Sequence, residues 1–231
     1  MKNVIEALSH WELLEIEKPA RYLGGEVNQA AAKASPALRT CLVFPDLYEL
    51  GMSNLALKIF YETLNQRPDI VAERAFSPWP DFESLLRRRG LPLYGLESGM
   101  PLKDFDVIFV TLPYEMTFTN VLNILDLAGL PLSWKDRIDG PLVIAGGPSA
   151  SNPLPVAKFM DAILIGDGEE AIIEICDSLI AAKKSGASRS ETRRALTKVE
   201  GLWVPEFPGP VKRRVFKLFS QSQPPLKPVV P

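Results

Sequence analysis

Short, largely apolar runs recur along the chain, and each is followed by a helical pattern. Cys41–Phe44, Val71–Phe76, Val107–Thr111, Leu142–Ala145 and Ala162–Ile165 are rich in Val, Ile and other apolar residues. Strands of this kind are buried on both faces, as in a parallel sheet, rather than half-solvated. Helical spacing predicts helices over Asn54–Gln66, Asp81–Arg89, Thr119–Ala128 and Pro155–Phe159, with Glu169–Lys184 after the last strand. Ser53 or Asn54, Asp81, and Thr117 or Thr119 are N-cap candidates, because their side-chain oxygens accept orphan backbone N–H groups. Gly90 and Gly129 stand where the second and third helices should stop. Leu91–Leu96 reads as a short edge strand, kept off the sheet centre by Pro92. The alternation predicts a doubly wound, mainly parallel five-stranded α/β sandwich over residues 38–185, flavodoxin-like in strand order.

Two appendages flank that domain. Residues 1–37 carry an amphipathic helix, with His10 as a surface or packing residue, and then the extended lead-in Lys18–Gly25. Residues 186–231 carry a helix over Ser188–Lys198, then a hairpin of Leu202–Val204 with Val211–Phe219 around Phe207-Pro208-Gly209-Pro210. Gln221–Pro231 is a Pro-rich, extended linker.

Composition narrows the classes. With 231 residues, 46% hydrophobic and 23% charged, the chain is long enough for a substantial core. A net charge of -2 makes no global electrostatic case for nucleic acid. No apolar run approaches the ~20 residues that span a bilayer, and the N-terminus lacks a basic-then-apolar secretory pattern. The expectation is a cytoplasmic protein without a membrane partner. Two cysteines (Cys41 and Cys176, both in apolar contexts) and one histidine cannot supply a thiolate cage for zinc or an iron–sulfur cluster. The basic runs Arg87–Arg89 and Lys212–Arg214 read as solvated faces, with contact to an RNA or substrate backbone as the alternative.

Four loops should converge at the carboxyl edge of the sheet, where α/β proteins place their ligands. They are Asp46–Gly51, Thr111–Thr117, Gly146–Pro153 and Gly166–Glu170. Gly146-Gly147 allows positive φ and close approach of a flat ligand, or simply a tight strand-to-helix turn. The acids of Gly166-Asp167-Gly168-Glu169-Glu170 suit a helix start and argue against a phosphate-binding turn. There is no Walker A sequence and no complete Gly-x-Gly-x-x-Gly. Asp46, Glu49 and Glu115 have no histidine or metal partner for a hydrolase.

Several motifs occur in an order that resembles one family: Lys18–Glu26, Phe44–Met52, Ser77-Pro78-Trp79-Pro80-Asp81, Asn120–Gly129, Gly146-Gly147-Pro148 and Ile165–Glu170. They are similar to radical SAM proteins whose N-terminal half is a cobalamin-binding-like domain. The resemblance implies a non-catalytic module that binds, or once bound, cobalamin at the sheet edge. Its site residues would be Asp46, Tyr48, Glu49, Gly51, Thr111, Tyr114, Gly146, Gly147, Pro148, Gly166 and Gly168. Tyr48 stands where the Asp-x-His-x-x-Gly loop of such domains carries the cobalt ligand; a phenol, with a reference pKa near 10, must ionise to donate strongly. The resemblance also implies a radical SAM catalytic domain as partner, in the same or a separate chain. That domain would hold the [4Fe–4S] cluster and S-adenosylmethionine through a three-cysteine motif absent from these residues. The alternative is a cofactor-free domain that docks a substrate or the catalytic barrel.

Overall fold

The computed structural model describes residues 3–217 and 224–230. Strands β1 (Leu38–Phe44), β2 (Ile70–Phe76), β3 (Val107–Thr111), β4 (Leu142–Gly146) and β5 (Ala162–Leu164) form parallel ladders in the order β2-β1-β3-β4-β5. A short sixth strand, β6 (Leu202–Trp203), adds antiparallel to β5. The five predicted strands are therefore all present, and the sheet has one more. β6 comes from the segment expected to form a hairpin with Val211–Phe219. Instead, Leu202 and Trp203 pair with Leu164 and Ile163, and Arg214 forms a parallel bridge to Gly166. Residues 218 and 219 of that expected hairpin lie outside the described residues.

The helices are α1 (His10–Leu14), α2 (Tyr48–Ser53), α3 (Leu55–Gln66), α4 (Pro80–Arg89), α5 (Phe118–Leu127), α6 (Ala171–Ser185) and α7 (Arg189–Leu196). Because β1 leads leftward to β2 and the chain then moves rightward, right-handed crossovers place helices on both faces. Asn54 caps α3, its Oδ1 accepting from Leu57 N at 2.9 Å. Asp81 does not cap α4: the N-cap is Trp79 with Pro80 at the first turn, and Asp81 accepts from Phe82 N and Glu17 N instead. Thr117 precedes α5 without a side-chain cap, since its hydroxyl donates to Tyr114 O. Gly90 ends α4 at φ 61°, and Gly129 lies just past α5 at φ 69°. Only one 3-10 turn, Leu154–Val156, forms within the expected helix 155–159.

Leu91–Leu96 is not an edge strand. Tyr94 bridges Pro101 and Gly95 N donates to Met100 O, so the segment closes on itself and lies along β2 through Leu96 N to Arg74 O. That covering lets the edge strand bury two charges. Arg74 ion-pairs with Glu26 at 3.1 Å and Glu97 at 2.6 Å and stacks 4.9 Å over Tyr61. Glu73, 2% exposed, accepts from the Ser98 hydroxyl at 2.9 Å. At the opposite, amino edge, Asp161 is fully buried and gathers Arg137, Arg189 and Arg193 at 3.2, 3.3 and 3.1 Å while accepting from Val143 N. One carboxylate thus joins the loop before β4, β4 itself, the start of β5 and α7.

The C-terminal segment returns to the domain. Glu62 on α3 accepts from Leu226 N and Lys227 N, Val229 is buried in the core, and Val230 bridges Val27. Cys41 and Cys176 are free and fully buried, as expected of small core residues. No helix among the described residues is long and apolar enough to cross a membrane.

Two stability outcomes follow from the buried charges. Asp161→Ala strands three guanidinium groups, and urea unfolding is expected to show a loss of about 3–5 kcal/mol with an unchanged m-value. Burial raises the Glu73 carboxyl from its ordinary 4.5 to about 7. The folded state therefore holds this proton more tightly than the unfolded chain, and its contribution to stability is lost as pH rises from 4.5 toward 7. Glu73→Gln should gain on the wild type through that window by up to about 3 kcal/mol, then run parallel above pH 7 in melts taken across pH.

Candidate functional site

β1, β3 and β4 end side by side at the carboxyl edge, and the seam between β1 and β3 is where the chain direction across the sheet reverses. A cavity of about 580 Å³ opens there between the sheet, α3 and α6. Its floor is apolar: Leu42 from β1, Phe109 from β3 and Ile144 from β4. Phe60 of α3 and Ile172 and Ile175 of α6 form the facing wall. The helices contribute these residues because each turns one apolar stripe toward the sheet.

The structure divides the predicted site residues into two groups. Thr111, Gly146, Gly147, Pro148, Gly166 and Gly168 all line the cavity. Gly147 has φ 112°, and a Cβ there would stand 2.9 Å from Leu112 O, so the turn after β4 passes close against the β3 loop. Gly166 has φ 121°, and a Cβ would come within 2.1 Å of Arg214 O, where the C-terminal segment crosses. Gly168 faces the Phe60 ring, 2.7 Å from a built Cβ. Gly146, by contrast, would place a Cβ at an ordinary 3.6 Å from Leu164. The diglycine is thus needed for backbone geometry at its second position and leaves cavity space at its first.

Asp46, Tyr48, Glu49, Gly51 and Tyr114 do not line the cavity. The segment 48–53 is a helix rather than a loop: Asp46 Oδ1 accepts from Leu47 N, and Gly51 N donates to Leu47 O. That turn points Tyr48 into the core against Phe76, with ring centroids 5.3 Å apart. Its hydroxyl donates to Glu26 at 3.1 Å, beside Arg74. Burial, reinforced by Glu26, raises the Tyr48 phenol well above its usual range, opposing ionisation. Gly51 is packed against Phe76, whose ring lies 2.2 Å from a built Cβ. Glu49 pairs with Arg21 at 2.8 Å and Lys18 at 3.4 Å, fixing the N-terminal lead-in. Asp46 accepts a hydrogen bond from the Tyr114 hydroxyl, which ties the β1 and β3 loops together at the rim.

Sequence reasoning did not select Phe60, Ile172, Ile175, Glu169 or Arg213, all in the lining. The helical repeat Leu57–Phe60–Leu64 was visible, but core contact and cavity contact have the same periodicity. Arg213 apart, the basic runs are engaged in ion pairs among the described residues, Lys212 with Glu200. Arg87 reaches Glu83 and Asp126, Arg88 reaches Glu15, Arg89 reaches Glu12, and Arg214 chelates Glu170 and Glu174. Among the described residues no group of three His, Cys, Asp or Glu side chains can hold a metal ion.

Residues 56–205, from α3 through β6, match the family described as radical SAM proteins, N-terminal. The chain belongs to that family. This radical SAM N-terminal domain is 26% identical over 140 residues to an uncharacterized protein of Methanocaldococcus jannaschii, covering 58% of this chain and 25% of that protein. Among solved structures it is similar to the radical S-adenosylmethionine methyltransferase TsrM from Kitasatospora setae, a structure with tryptophan substrate and a SAM analog bound. That match has TM-score 0.44 and 15% identity, over 72% of this chain and 28% of the other. The chain therefore spans about a quarter of the length of each relative.

The two halves of the diglycine respond differently to one added methyl group. In the radical SAM N-terminal domain, Gly147→Ala should lower stability by about 1–3 kcal/mol. Gly146→Ala should be neutral or stabilising by up to about 1 kcal/mol. Thermal melts of the two variants check both.

Proposed function

We propose that this domain is a non-catalytic cobalamin-binding module of a radical SAM enzyme, and that the cavity at the β1–β3–β4 edge receives the cofactor. The observation that supports this most directly is the cavity itself. Its volume suits part of a large ligand, and Gly146 leaves its share of the lining free of a side chain. Thr111, Gly146, Gly147, Pro148, Gly166 and Gly168 would hold the cofactor. When bound, cobalamin supplies the organometallic chemistry, while the protein supplies binding and orientation.

The residues fit a cavity-held cofactor and do not fit protein ligation of its metal. Tyr48 is buried away from the cavity and committed to Glu26, and the single histidine, His10, lies on α1. The cofactor is thus held by shape and polar contacts rather than by an axial side chain. Asp46, Tyr48, Glu49, Gly51 and Tyr114 support the rim and the core beside it. The [4Fe–4S] cluster and S-adenosylmethionine belong, in this reading, to a radical SAM catalytic domain, since both cysteines here are fully buried. The module occupies residues 38–185, with 1–37 and 186–231 as flanking segments.

A cofactor-free docking domain is the second reading. It is favoured by Leu50, Leu154 and Met116, exposed at 49%, 72% and 84% on loops or helices that follow β1, β4 and β3.

A visible-absorbance titration of the chain with hydroxocobalamin separates the two. The first reading expects a saturable shift that is lost in Gly146→Leu, which fills the cavity without a positive-φ penalty. Tyr48→Phe should bind within two-fold of wild type while losing about 1 kcal/mol of stability for its missing hydrogen bond. A folded wild-type protein that produces no shift overturns the cofactor reading.

A further inference from the structure

Three charged residues stand in the cavity lining: Asp167, Glu169 and Arg213. Both acids are partly turned to the protein. Asp167 accepts from Phe216 N at 2.7 Å, and one carboxylate oxygen of Glu169 is shielded from solvent. Arg213 is exposed, and among the described residues no ion pair or hydrogen bond engages its guanidinium. Both its neighbours are paired, Lys212 with Glu200 at 3.0 Å and Arg214 with Glu170 and Glu174 at 3.1 and 2.6 Å.

The segment that carries Arg213 is fixed through its backbone. Arg214 N donates to Ile165 O at 3.0 Å and Asp167 N donates to Arg214 O at 3.1 Å, a parallel bridge just beyond the end of β5. Side chains alternate in direction along extended backbone of this kind. Arg214 turns inward, only 7% exposed, and its guanidinium donates to Glu174 at 2.7 and 2.6 Å and to Glu170 at 3.1 Å. Val215, on its other side, is 60% exposed. Arg213 is thereby held at the mouth of the cavity, in its lining rather than among the acids of α6. A guanidinium there carries donors only, stays charged at any ordinary pH, and matches an oxyanion in shape.

We propose that Arg213 is a specificity-determining residue of this cavity and pairs with a singly charged oxyanion of the ligand. The two acids leave the lining with an excess of one negative charge, so a polyphosphate is repelled where a single anionic group is accepted. The residue that reads ligand charge thus comes from the C-terminal segment and not from the sheet loops. This inference rests on the cavity being the ligand site, and it adds which ligand charge that site selects. On the cobalamin reading, the group is the phosphodiester of the nucleotide tail.

The test uses the full chain as wild type, Arg213→Ala and Arg213→Lys, with hydroxocobalamin and dicyanocobinamide as probes and thermal melts without ligand. Hydroxocobalamin carries the phosphodiester; dicyanocobinamide, which lacks the nucleotide tail, does not. Arg213→Ala is expected to bind hydroxocobalamin at least about 5-fold more weakly and dicyanocobinamide as the wild type does. Arg213→Lys should fall between for hydroxocobalamin, because it keeps the charge without the fork. Raised salt should weaken hydroxocobalamin binding by wild type more than by Arg213→Ala. All three proteins are expected to melt together, since the exposed side chain has no partner to lose. Arg213→Ala that binds hydroxocobalamin within about two-fold of wild type overturns the proposal, and the cavity reading then stands. Equal weakening for both probes also overturns it, because the residue then acts through packing and not through charge. A lowered melting temperature in both variants makes Arg213 a structural residue, with the same consequence. Absence of binding by folded wild type overturns the cavity reading together with this inference.

Discussion

The parallel ladder between β1 and β3, Thr40 with Val107 through Val43 with Val110, is the constraint on which the rest depends. β2 lies on one side of it and β4 and β5 on the other, and the β2-to-β3 connection crosses back over β1. Helices leaving the two strand ends therefore part, and the loops meet only at the rim, where Tyr114 donates to Asp46. The cavity is the space that this parting leaves. A sheet of the same composition with sequential strand order would bury Leu42, Phe109 and Ile144 under a continuous helix layer and present no opening.

Keeping that seam open requires rigidity elsewhere, and the two sheet edges supply it through buried charge. Asp161 with its three arginines fixes the amino ends of β4 and β5. Arg74 with Glu26 and Glu97 fixes β2 to the lead-in and to the covering segment. Such networks do not add much net stability, because desolvation offsets attraction. Their effect is geometric: a guanidinium fork accepts few alternative arrangements of the segments it joins. α3 lies between the two regimes, giving Phe60 to the cavity and Tyr61 to the stack under Arg74.

The fold was legible in the sequence because its signals are local. Val107–Thr111 matches β3 at both ends, and Gly90 marks the end of α4 through its own φ requirement. The strand at Leu202–Trp203 was legible but its partner was not, since a two-residue pairing is decided by β5 rather than by Leu202-Trp203 alone. The cavity lining was legible in part. Glycines 147, 166 and 168 announce close backbone approach, and with Gly146 all are in the lining. Tyr48 and Gly51 were misplaced because Asp46-x-Tyr48-x-x-Gly51 was read as a loop. One helical turn rotates Tyr48 onto the face of Phe76 and Arg74. Spacing alone does not say toward which side a turn will carry its side chain.

Tyr48 links these observations. A histidine aimed outward from a flexible loop can ligate a metal; an aromatic residue with its hydroxyl bound to Glu26 cannot leave without exposing the Arg74 pair. Its burial converts a stretch at the sheet's carboxyl edge into core and couples that core to the lead-in through Glu26. Under the proposed function, recognition in the neighbouring cavity falls to its own lining and not to Tyr48. Gly146 leaves space in that lining, and Asn54, Thr111 and Ser151 are among its polar residues. On the proposed cobalamin reading, such a lining holds its ligand by shape and hydrogen bonding rather than by metal ligation.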